Sequence, residues 1–260
     1  MTHQSTTNRL LMALPPEDYR RISAELQLRP LRAREVLAKR DELLTTVYFP
    51  SRSLCSLMLT MSGGAASEIV VVGSEGMIGL EAAFGVRRAM CDVSVQVAGD
   101  GSAHAMSVEA FRREMDLRGA LYANVSAYRV AWLSFITQSV ACNGLHAVTD
   151  RCCRWLLHAQ DRLATDVFPL THELLSIMLG VRRPTVTLIV NDLVRRGIIR
   201  TARGMIEIVD RRELEARSCE CYRTVKEVFA PVLSDPKVRP TQNLPLEPDT
   251  TGPIPSELTA

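Results

Sequence analysis

Residues 170–204 read LTHELLSIMLGVRRPTVTLIVNDLVRRGIIRTARG, and this stretch decides the fold of the C-terminal part of the chain. Thr171 is a good N-cap residue, and the apolar side chains after it recur with helical spacing until Gly180 interrupts them. Pro184 stands at the start of a second helix, where its missing N–H is harmless, and Gly197 ends that helix. Two short helices joined by a glycine-containing turn predict a helix-turn-helix.

A small hairpin is predicted directly after the second helix, which itself is predicted over 185–196. The two strands are expected at 198–201 and 205–209, because apolar residues there flank the turn Ala202-Arg203-Gly204. A helix-turn-helix followed by such a hairpin is a winged helix.

Basic side chains are concentrated on the same stretch. Between residues 182 and 203 there are six arginines and one acid, Asp192. An arginine at the start of a recognition helix can donate two hydrogen bonds to a guanine edge, worth about 1–3 kcal/mol of discrimination. Hydroxyls and the wing arginines can reach phosphates. The residues predicted to contact DNA are Thr171, His172, Arg182, Arg183, Pro184, Thr185, Thr187, Leu188, Arg200 and Arg203.

A solvated basic face on an ordinary helical bundle is the alternative interpretation of this stretch. A run of charge alone would favour that alternative. The ordered set of N-cap, glycine turn, Arg-Arg-Pro, helix stop and glycine-tipped hairpin is more specific, and it favours binding to double-stranded DNA.

Upstream, short β-type runs punctuated by glycine extend from Leu28 to about Met106. Strands this short at such regular spacing suggest a sandwich or barrel rather than a parallel sheet. Residues 1–14 are interpreted as a loose arm, and Pro15 opens a short helix that runs to about Gln27.

A long helix is predicted from about Leu117 to His146, and two apolar heptad rows run along it. Such rows argue for packing along the whole length against a partner helix, and we interpret that partner as a second copy of the chain. Burial of the helix in the core of its own protomer is the alternative. The residues assigned to the dimer seam are Leu121, Val125, Tyr128, Trp132 and Phe135.

Two further helices are predicted, over 151–165 with Thr149-Asp150 as the cap and from Arg211 to about Phe229. The tail over 231–260 is rich in proline, threonine and acids and is expected to be disordered. The chain has 260 residues, a net charge of +2 and an odd number of scattered cysteines, seven, which favours a reducing cytoplasm. No apolar run reaches the roughly 18 residues of a membrane span, so no membrane partner is expected.

The sequence resembles the Crp/Fnr family of bacterial regulators over nearly all of residues 25–225. The resemblance is carried by Leu170 to Thr187, by the wing residues Arg200 to Val209 and, in the N-terminal part, by Val47-Tyr48-Phe49-Pro50 and Gly76-Met77-Ile78-Gly79. Ala141-Cys142-Asn143 and Cys219-Glu220-Cys221-Tyr222 look like one subgroup of the family.

This resemblance implies an α+β fold with an N-terminal double-stranded β-helix, a jelly-roll-like β-roll of the cyclic-nucleotide-binding type. A long dimerisation helix and a C-terminal winged helix-turn-helix follow. It also implies a homodimer on a palindromic operator whose half-sites lie about one helical turn apart, and it is compatible with RNA polymerase as a further partner. The expected organisation is an arm (1–14), the β-roll (15–116), the dimerisation helix (117–147), the DNA-binding domain (148–216), a C-terminal helix (217–230) and a tail (231–260).

Departures from the family pattern bear on the effector. Cyclic AMP-responsive members carry a Gly-Glu pair and an Arg-Ser or Arg-Thr pair, where this chain has Gly79-Leu80-Glu81 and Arg88-Ala89-Met90. Leucine cannot bind a ribose hydroxyl, and alanine offers no hydroxyl to a phosphate, which argues against cyclic AMP. No cysteine precedes Cys55, which argues against an iron–sulfur cluster of the family's kind. The effector stays unknown, and its predicted pocket consists of Gly79, Leu80, Glu81, Arg87, Arg88 and Ala89.

The cysteine pairs Cys152-Cys153 and Cys219-Glu220-Cys221 are possible thiol sensors or soft-metal ligands, helped by His146 or His158. Residues one or two apart on a helix point in different directions, about 100° per residue, so burial as small apolar side chains is the preferred interpretation. No metal ligands and no catalytic residues are therefore assigned. Three functions stay open: an effector-responsive regulator, a constitutive regulator with a structural β-roll, and a small-molecule-binding or metal enzyme on the β-roll.

Overall fold

The computed structural model describes residues 6–97 and 101–233. The helices are α1 (Arg9–Met12), α2 (Pro16–Ser23), α3 (Val108–Asp116), α4 (Ala120–Leu145), α5 (Val148–Leu163), α6 (His172–Leu179), α7 (Arg183–Arg195), α8 (Arg211–Ala216) and α9 (Cys221–Leu233). The strands are β1 (Gln27–Pro30), β2 (Val36–Ala38), β3 (Thr46–Ser51), β4 (Leu54–Thr60), β5 (Ala66–Val72), β6 (Asp92–Val97), β7 (Ser102–Ser107), β8 (Val167–Pro169), β9 (Ile199–Ala202) and β10 (Met205–Ile208). Among the described residues, no helix is both long and apolar enough to cross a bilayer.

Two antiparallel sheets form the N-terminal β-roll. One sheet has the order β1-β7-β3 and the other the order β2-β6-β4-β5. In the first sheet β3 pairs with β7 along its whole length, from Thr46 opposite Ser107 to Ser51 opposite Ser102. Apolar side chains such as Phe49, Leu54 and Val95 have no solvent exposure and fill the space inside the roll. The predicted fold class, α+β with an N-terminal β-roll and C-terminal winged helix-turn-helix, is confirmed.

The N-terminal segment differs from the loose arm that the sequence predicts. Asn8 caps α1, and its side-chain amide donates to the carbonyl oxygens of Pro50 and Gly76 at 3.0 and 2.8 Å. Leu10 and Leu11 are fully buried. The prediction of a loose arm is therefore wrong for residues 6–14, because the apolar pair is buried and the asparagine hydrogen-bonds to the β-roll. Residues 1–5 lie outside the described part of the chain.

Helix α4 shows the long helix that the heptads predict, but the apolar row assigned to the dimer seam faces inward. Of that row (Leu121, Val125, Tyr128, Trp132 and Phe135), all but the partly buried Trp132 are almost inaccessible to solvent. They pack inside their own protomer, where α4 contacts β5, α3 and α9. Assigning this row to a seam between protomers is wrong, and the alternative of burial in the protomer's own core holds for it.

Helix α5 joins the β-roll to the C-terminal domain through buried polar contacts. It begins at Val148 rather than Arg151, because Ala147 adopts the extended backbone of an N-cap and Asp150 lies in the first turn, where the helix dipole favours an acid. Its Arg162 Nε lies 2.7 Å from the Glu75 carboxylate of the β-roll, with both side chains almost fully buried.

The C-terminal helix predicted from Arg211 to Phe229 is broken in two. Residues 217–220 form a turn between α8 and α9, so a single continuous helix is not observed. Helix α9 then packs along α4, and the ring of Phe229 lies 6.0 Å from those of Tyr128 and Phe135. Helix α9 reaches residue 233; the predicted disordered tail from residue 234 onward lies outside the described residues.

Candidate nucleic-acid interface

Helices α6 and α7 form the helix-turn-helix. The Thr171 hydroxyl oxygen accepts from the Leu174 N–H at 3.1 Å, which caps α6 as its sequence predicts. Gly180 closes the helix in the left-handed region at φ 65°, where glycine carries no steric cost. Val181 N–H returns to the Ser176 carbonyl at 3.0 Å, and this bond sets the turn into α7.

Helix α7 buries one face and leaves the other in solvent. Val186, Ile189, Val190 and Leu193 form the buried face. On the opposite side the side chain of Leu188 is 72% exposed. The helix begins at Arg183, two residues before the predicted start, because a proline fits the second position of a helix as well as the first. The second helix of the predicted helix-turn-helix is thus present, and its outer face is accessible.

The arginines of this region fall into two groups. Arg195 and Arg196 pair with Asp192, and the Arg196 hydrogen bond lowers the pKa of that carboxyl below its ordinary value. Arg200 lies 3.5 Å from Glu207 on the neighbouring strand. A second group, Arg182, Arg183 and Arg203, makes no ion pair with any residue in the part of the chain that the structure describes.

Arg182 and Arg183 stand at the N-terminus of α7, which is the wrong end of a helix for cations. The helix dipole places partial positive charge there, so an acid would stabilise the helix and two arginines do not. A local arrangement that lowers stability without an evident gain in packing is typical of a functional site. Exposed and without a carboxylate partner among the described residues, these guanidinium groups are available to an anionic ligand.

Two predicted contact residues are bonded to each other. The Thr187 hydroxyl donates to the Arg183 carbonyl at 3.1 Å, and its oxygen lies 3.0 Å from His172 Nδ1. His172 therefore joins the first turn of α6 to the first turn of α7. These side chains link the two helices by a hydrogen bond.

The wing is the hairpin of β9 and β10, with β8 pairing on the other edge of β10. Arg203 and Gly204 form its two-residue turn, both with positive φ, which is the backbone of the twisted hairpin turns. Between the wing and the first turns of α6 and α7 runs a cleft of about 460 Å³, lined by Thr171, His172, Arg183 and Arg203 among others.

One cationic residue of this cleft is missed by the sequence reasoning. Arg34 belongs to the turn between β1 and β2 of the β-roll, yet it lines the cleft beside the wing. Nothing in the local sequence links residue 34 to the helix-turn-helix, because the contact exists only once the β-roll and the C-terminal domain are packed together.

The residues predicted for the effector pocket lie in neighbouring segments, since the Glu81 carboxylate accepts from the Met90 N–H at 3.2 Å, but they enclose little space. Gly79, Leu80 and Glu81 line a cavity of about 40 Å³, which Trp132 of α4 helps to enclose. Small-molecule sites typically occupy about 300–1,000 Å³. Ala89 is buried, whereas Arg87 and Arg88 are exposed, and Arg88 Nη1 donates to the Asp41 carbonyl instead.

The cysteines divide into two sets, of which the first agrees with the prediction and the second does not. Cys152 and Cys153 are buried in α5 as small apolar residues. The other set, which we name the Cys–His cluster, comprises Cys142, His146, Cys219 and Cys221, with their ligand atoms all within 4.8 Å of one another. The argument that Cys219 and Cys221 point apart is wrong, because Cys219 lies in the turn before α9 and not on a helix.

Comparisons with known proteins agree with this geometry. Residues 150–217 match the Crp-like helix-turn-helix domain. Among solved structures, FixK2 from Bradyrhizobium japonicum superposes with a TM-score of 0.64 at 17% identity, covering 75% of this chain and 98% of its own. A transcriptional regulator assigned to the Crp/Fnr family from Eubacterium rectale gives 0.60 at 17% identity, covering 78% of this chain and 94% of its own.

A third similar structure is the c-di-GMP-responsive global regulator CLP from Xanthomonas campestris, with a TM-score of 0.59 at 15% identity, covering 75% of this chain and 99% of its own. Curated protein sequences give no match. At these identities the structural likeness establishes the fold, and the domain match establishes the nature of the C-terminal part. The chain thus carries a Crp-like helix-turn-helix domain within the fold of the Crp/Fnr transcriptional regulators.

Proposed function

We propose that the protein is a homodimeric, sequence-specific DNA-binding regulator of transcription that places α7 in the major groove of a palindromic operator. The single observation that carries this proposal is the start of α7, where Arg182 and Arg183 project without a carboxylate partner among the described residues beside an exposed helix face. Helix-turn-helix proteins read bases with the N-terminal residues of this second helix.

Six of the predicted contact residues have a specific task in this proposal. Arg183 and the apolar tip of Leu188 reach base edges, since a guanidinium suits guanine and an apolar group suits a thymine methyl. Arg203 on the wing and the Thr171 hydroxyl at the start of α6 take phosphates, which fix the register of the protein on the duplex. The His172–Thr187 pair holds the two helices at the angle that both sets of contacts require.

Replacement of Arg183 by alanine tests the reading of bases. The binding site is first obtained by selection from random DNA, and affinities are then measured for that site and for unrelated DNA at one salt concentration. Arg183→Ala is expected to weaken specific binding by about 1–3 kcal/mol and to relax the preference at one base position. Arg203→Ala is expected to weaken binding to both DNAs alike.

The matched control is Arg223→Ala, which removes another exposed arginine, one that belongs to α9 and not to the helix-turn-helix or the wing. It loses the same charge and should leave specific binding unchanged. If Arg183→Ala kept full affinity and specificity, or if Arg223→Ala lost as much, α7 would not be the recognition helix.

A homodimer seam is proposed along the exposed face of α4. Val130, Leu133, Thr137 and Val140 are exposed there and are spaced three, four and three residues apart. This is the spacing of a and d positions in a coiled coil, and a second copy of the same helix is the partner that such a row fits. Leu133 is 62% exposed, so an isolated protomer would leave a large apolar side chain in water.

Leu133→Glu is expected to convert the dimer into a monomer, because it places like charges opposite each other at the centre of the seam. The assay is sedimentation or light scattering at micromolar protein. Leu117→Glu is the control, since Leu117 is 61% exposed and lies outside α4. A dimer that survives Leu133→Glu would place the seam elsewhere.

The regulator could respond to an effector or act constitutively with a β-roll that is only structural. The small cavity favours the constitutive regulator. About 40 Å³ beside Gly79, Leu80 and Glu81 is too little for a nucleotide, and the arginines that would pair with a phosphate are exposed on the outside. Regulation by a cyclic nucleotide is not part of this proposal.

A further inference from the structure

The Cys–His cluster lies where three elements meet, away from the DNA-binding surface. Cys142 is in the last turn of α4 and His146 is its C-cap, while Cys219 and Cys221 come from the turn before α9 and the first residue of that helix. The cluster thus joins α4 to α9, which are 75 residues or more apart in sequence. Its four side chains each offer a soft or borderline donor atom.

The distances inside the cluster are those of a tetrahedral site. Cys142 Sγ lies 3.5 Å from Cys219 Sγ, and Cys221 Sγ lies 3.5 Å from His146 Nδ1. Bonds of about 2.3 Å to sulfur and 2.0–2.1 Å to nitrogen at tetrahedral angles require about 3.8 Å between two sulfurs and about 3.6 Å between sulfur and nitrogen. These two separations are within a few tenths of an ångström of the tetrahedral values, and all four ligand atoms lie within 4.8 Å of one another.

The partners of the donor atoms are those of a built metal site. His146 directs Nδ1 toward Cys221, and its other ring nitrogen, Nε2, lies 3.1 Å from the Glu220 carboxylate. Metal-bound histidines commonly donate their second N–H to a carboxylate, which fixes the tautomer. The Gln138 amide donates to Cys221 Sγ at 3.0 Å and orients that thiol in the same way.

Buried cations neighbour the cluster. The Arg154 and Arg151 side chains are almost fully buried, and both guanidinium groups interact electrostatically with Cys142 and Cys219. Arg154 Nε is buried without a hydrogen-bond partner among the described residues. Three thiolates and a neutral imidazole around a divalent ion leave one negative charge, which these guanidinium groups would balance.

Apolar packing does not account for the cluster. Its three cysteines are buried together but form a group separate from the main hydrophobic core, whereas Cys55, Cys91, Cys152 and Cys153 all belong to that core. A group of only three thiols buries little apolar surface. An imidazole aimed at it, with a carboxylate behind, serves ligation and not packing.

We propose that the Cys–His cluster is a closed, structural Zn²⁺ site that fastens the end of α4 to the turn between α8 and α9. Three cysteines and one histidine form a standard ligand set of structural zinc, and a fourth protein ligand leaves no open position for catalysis. Arg151 extends the clamp toward the DNA-binding domain, since it donates to Asn143 beside the cluster and to the carbonyl of Leu179 at the end of α6.

The metal content of the full-length protein tests this proposal. Protein purified without added chelator or affinity metal is expected to contain one zinc per chain by elemental mass spectrometry. Exchange with Co²⁺ is expected to give the intense visible bands of tetrahedral cobalt and a near-ultraviolet sulfur-to-cobalt charge-transfer band. Both readouts are independent of DNA binding.

Matched variants locate the site. Cys221→Ala should abolish stoichiometric zinc, whereas Cys152→Ala removes an equally buried thiol outside the cluster and should keep it. Glu220→Ala leaves all four donors in place, and because Glu220 is 64% exposed it should not impair folding. It is expected to weaken zinc binding by about 10- to 100-fold through the loss of the carboxylate behind His146. Glu227→Ala, which removes another exposed acid of α9, is its control.

Several outcomes would overturn the proposal. One is a folded full-length protein that takes up no zinc from a buffered micromolar solution. Another is a Cys142–Cys219 disulfide found by mass spectrometry in place of metal, which would identify a redox pair. Equal loss of zinc in Cys221→Ala and Cys152→Ala would also refute it, and so would unchanged zinc affinity in Glu220→Ala.

Discussion

Removing one partner of the buried ion pair between Arg162 and Glu75 should strongly destabilise the whole chain. Arg162 Nε lies 2.7 Å from Glu75, and the side chains are 6% and 9% exposed. Arg162→Met keeps most of the apolar stem but leaves a carboxylate buried without its cation. Breaking a buried pair in this way destabilises proteins by about 3–5 kcal/mol. Because whole domains are stable by only about 5–15 kcal/mol, the effect should be large.

A double variant separates the loss of the pair from the cost of the stranded charge. In Arg162→Met with Glu75→Gln neither charge remains, and the glutamine oxygen can still accept from the Gly73 N–H that Glu75 binds now. The double variant should therefore be more stable than Arg162→Met alone. Urea unfolding at one protomer concentration, followed by tryptophan fluorescence, provides the assay, and Trp155 on the same helix as Arg162 is a local reporter.

Two results would refute this reasoning. A loss below about 1 kcal/mol in Arg162→Met would mean that Glu75 is solvated or repartnered and that the pair matters little, as at a surface. A double variant no more stable than Arg162→Met would mean that the loss comes from packing and not from a stranded charge.

The remaining predictions concern pH and ligands. Burial raises the pKa of Glu68 to about 7, against the donated bonds of Ser56 and Trp155, so the native state binds a proton there that the unfolded chain has released. The contribution of Glu68 to the free energy of unfolding is therefore highest below about pH 4.5 and decreases as the pH rises toward 7. Glu68→Gln should match the wild type in stability near pH 5 and exceed it at pH 8. Equal pH dependence of urea unfolding for both proteins would contradict this prediction. Cyclic AMP should produce no thermal stabilisation, because the cavity beside Gly79 holds only about 40 Å³, and a concentration-dependent rise in melting temperature would show that the roll opens.

The helix-turn-helix was readable from the sequence because its signals are local. Thr171, Gly180 and Pro184 act through the backbone of their own turn, and the structure places a cap, a left-handed stop and a helix start at or beside those residues. The start of α7 differed by two residues, since proline fits the first and second helical positions equally.

Features that depend on tertiary packing could not be predicted from the sequence. Heptad spacing indicates that one row of α4 side chains is buried, but it does not identify the surface against which they pack. The row ending at Phe135 faces the core of its own protomer. The Cys–His cluster was missed because a helix was extended through residues 217–220, where the chain turns. Cys142 and His146 are four residues apart and so lie on one face of the helix. This spacing is the local signal that could have indicated a metal site.

Trp132 belongs to α4, yet its indole forms part of the wall of the small chamber in the β-roll. A guest that enlarged that chamber toward α4 would push the indole aside. Since Trp132 sits midway along a helix of 26 residues, the push is transmitted to a rigid rod and not to a loose loop. Enlargement of the chamber in that direction and displacement of helix α4 would therefore occur together.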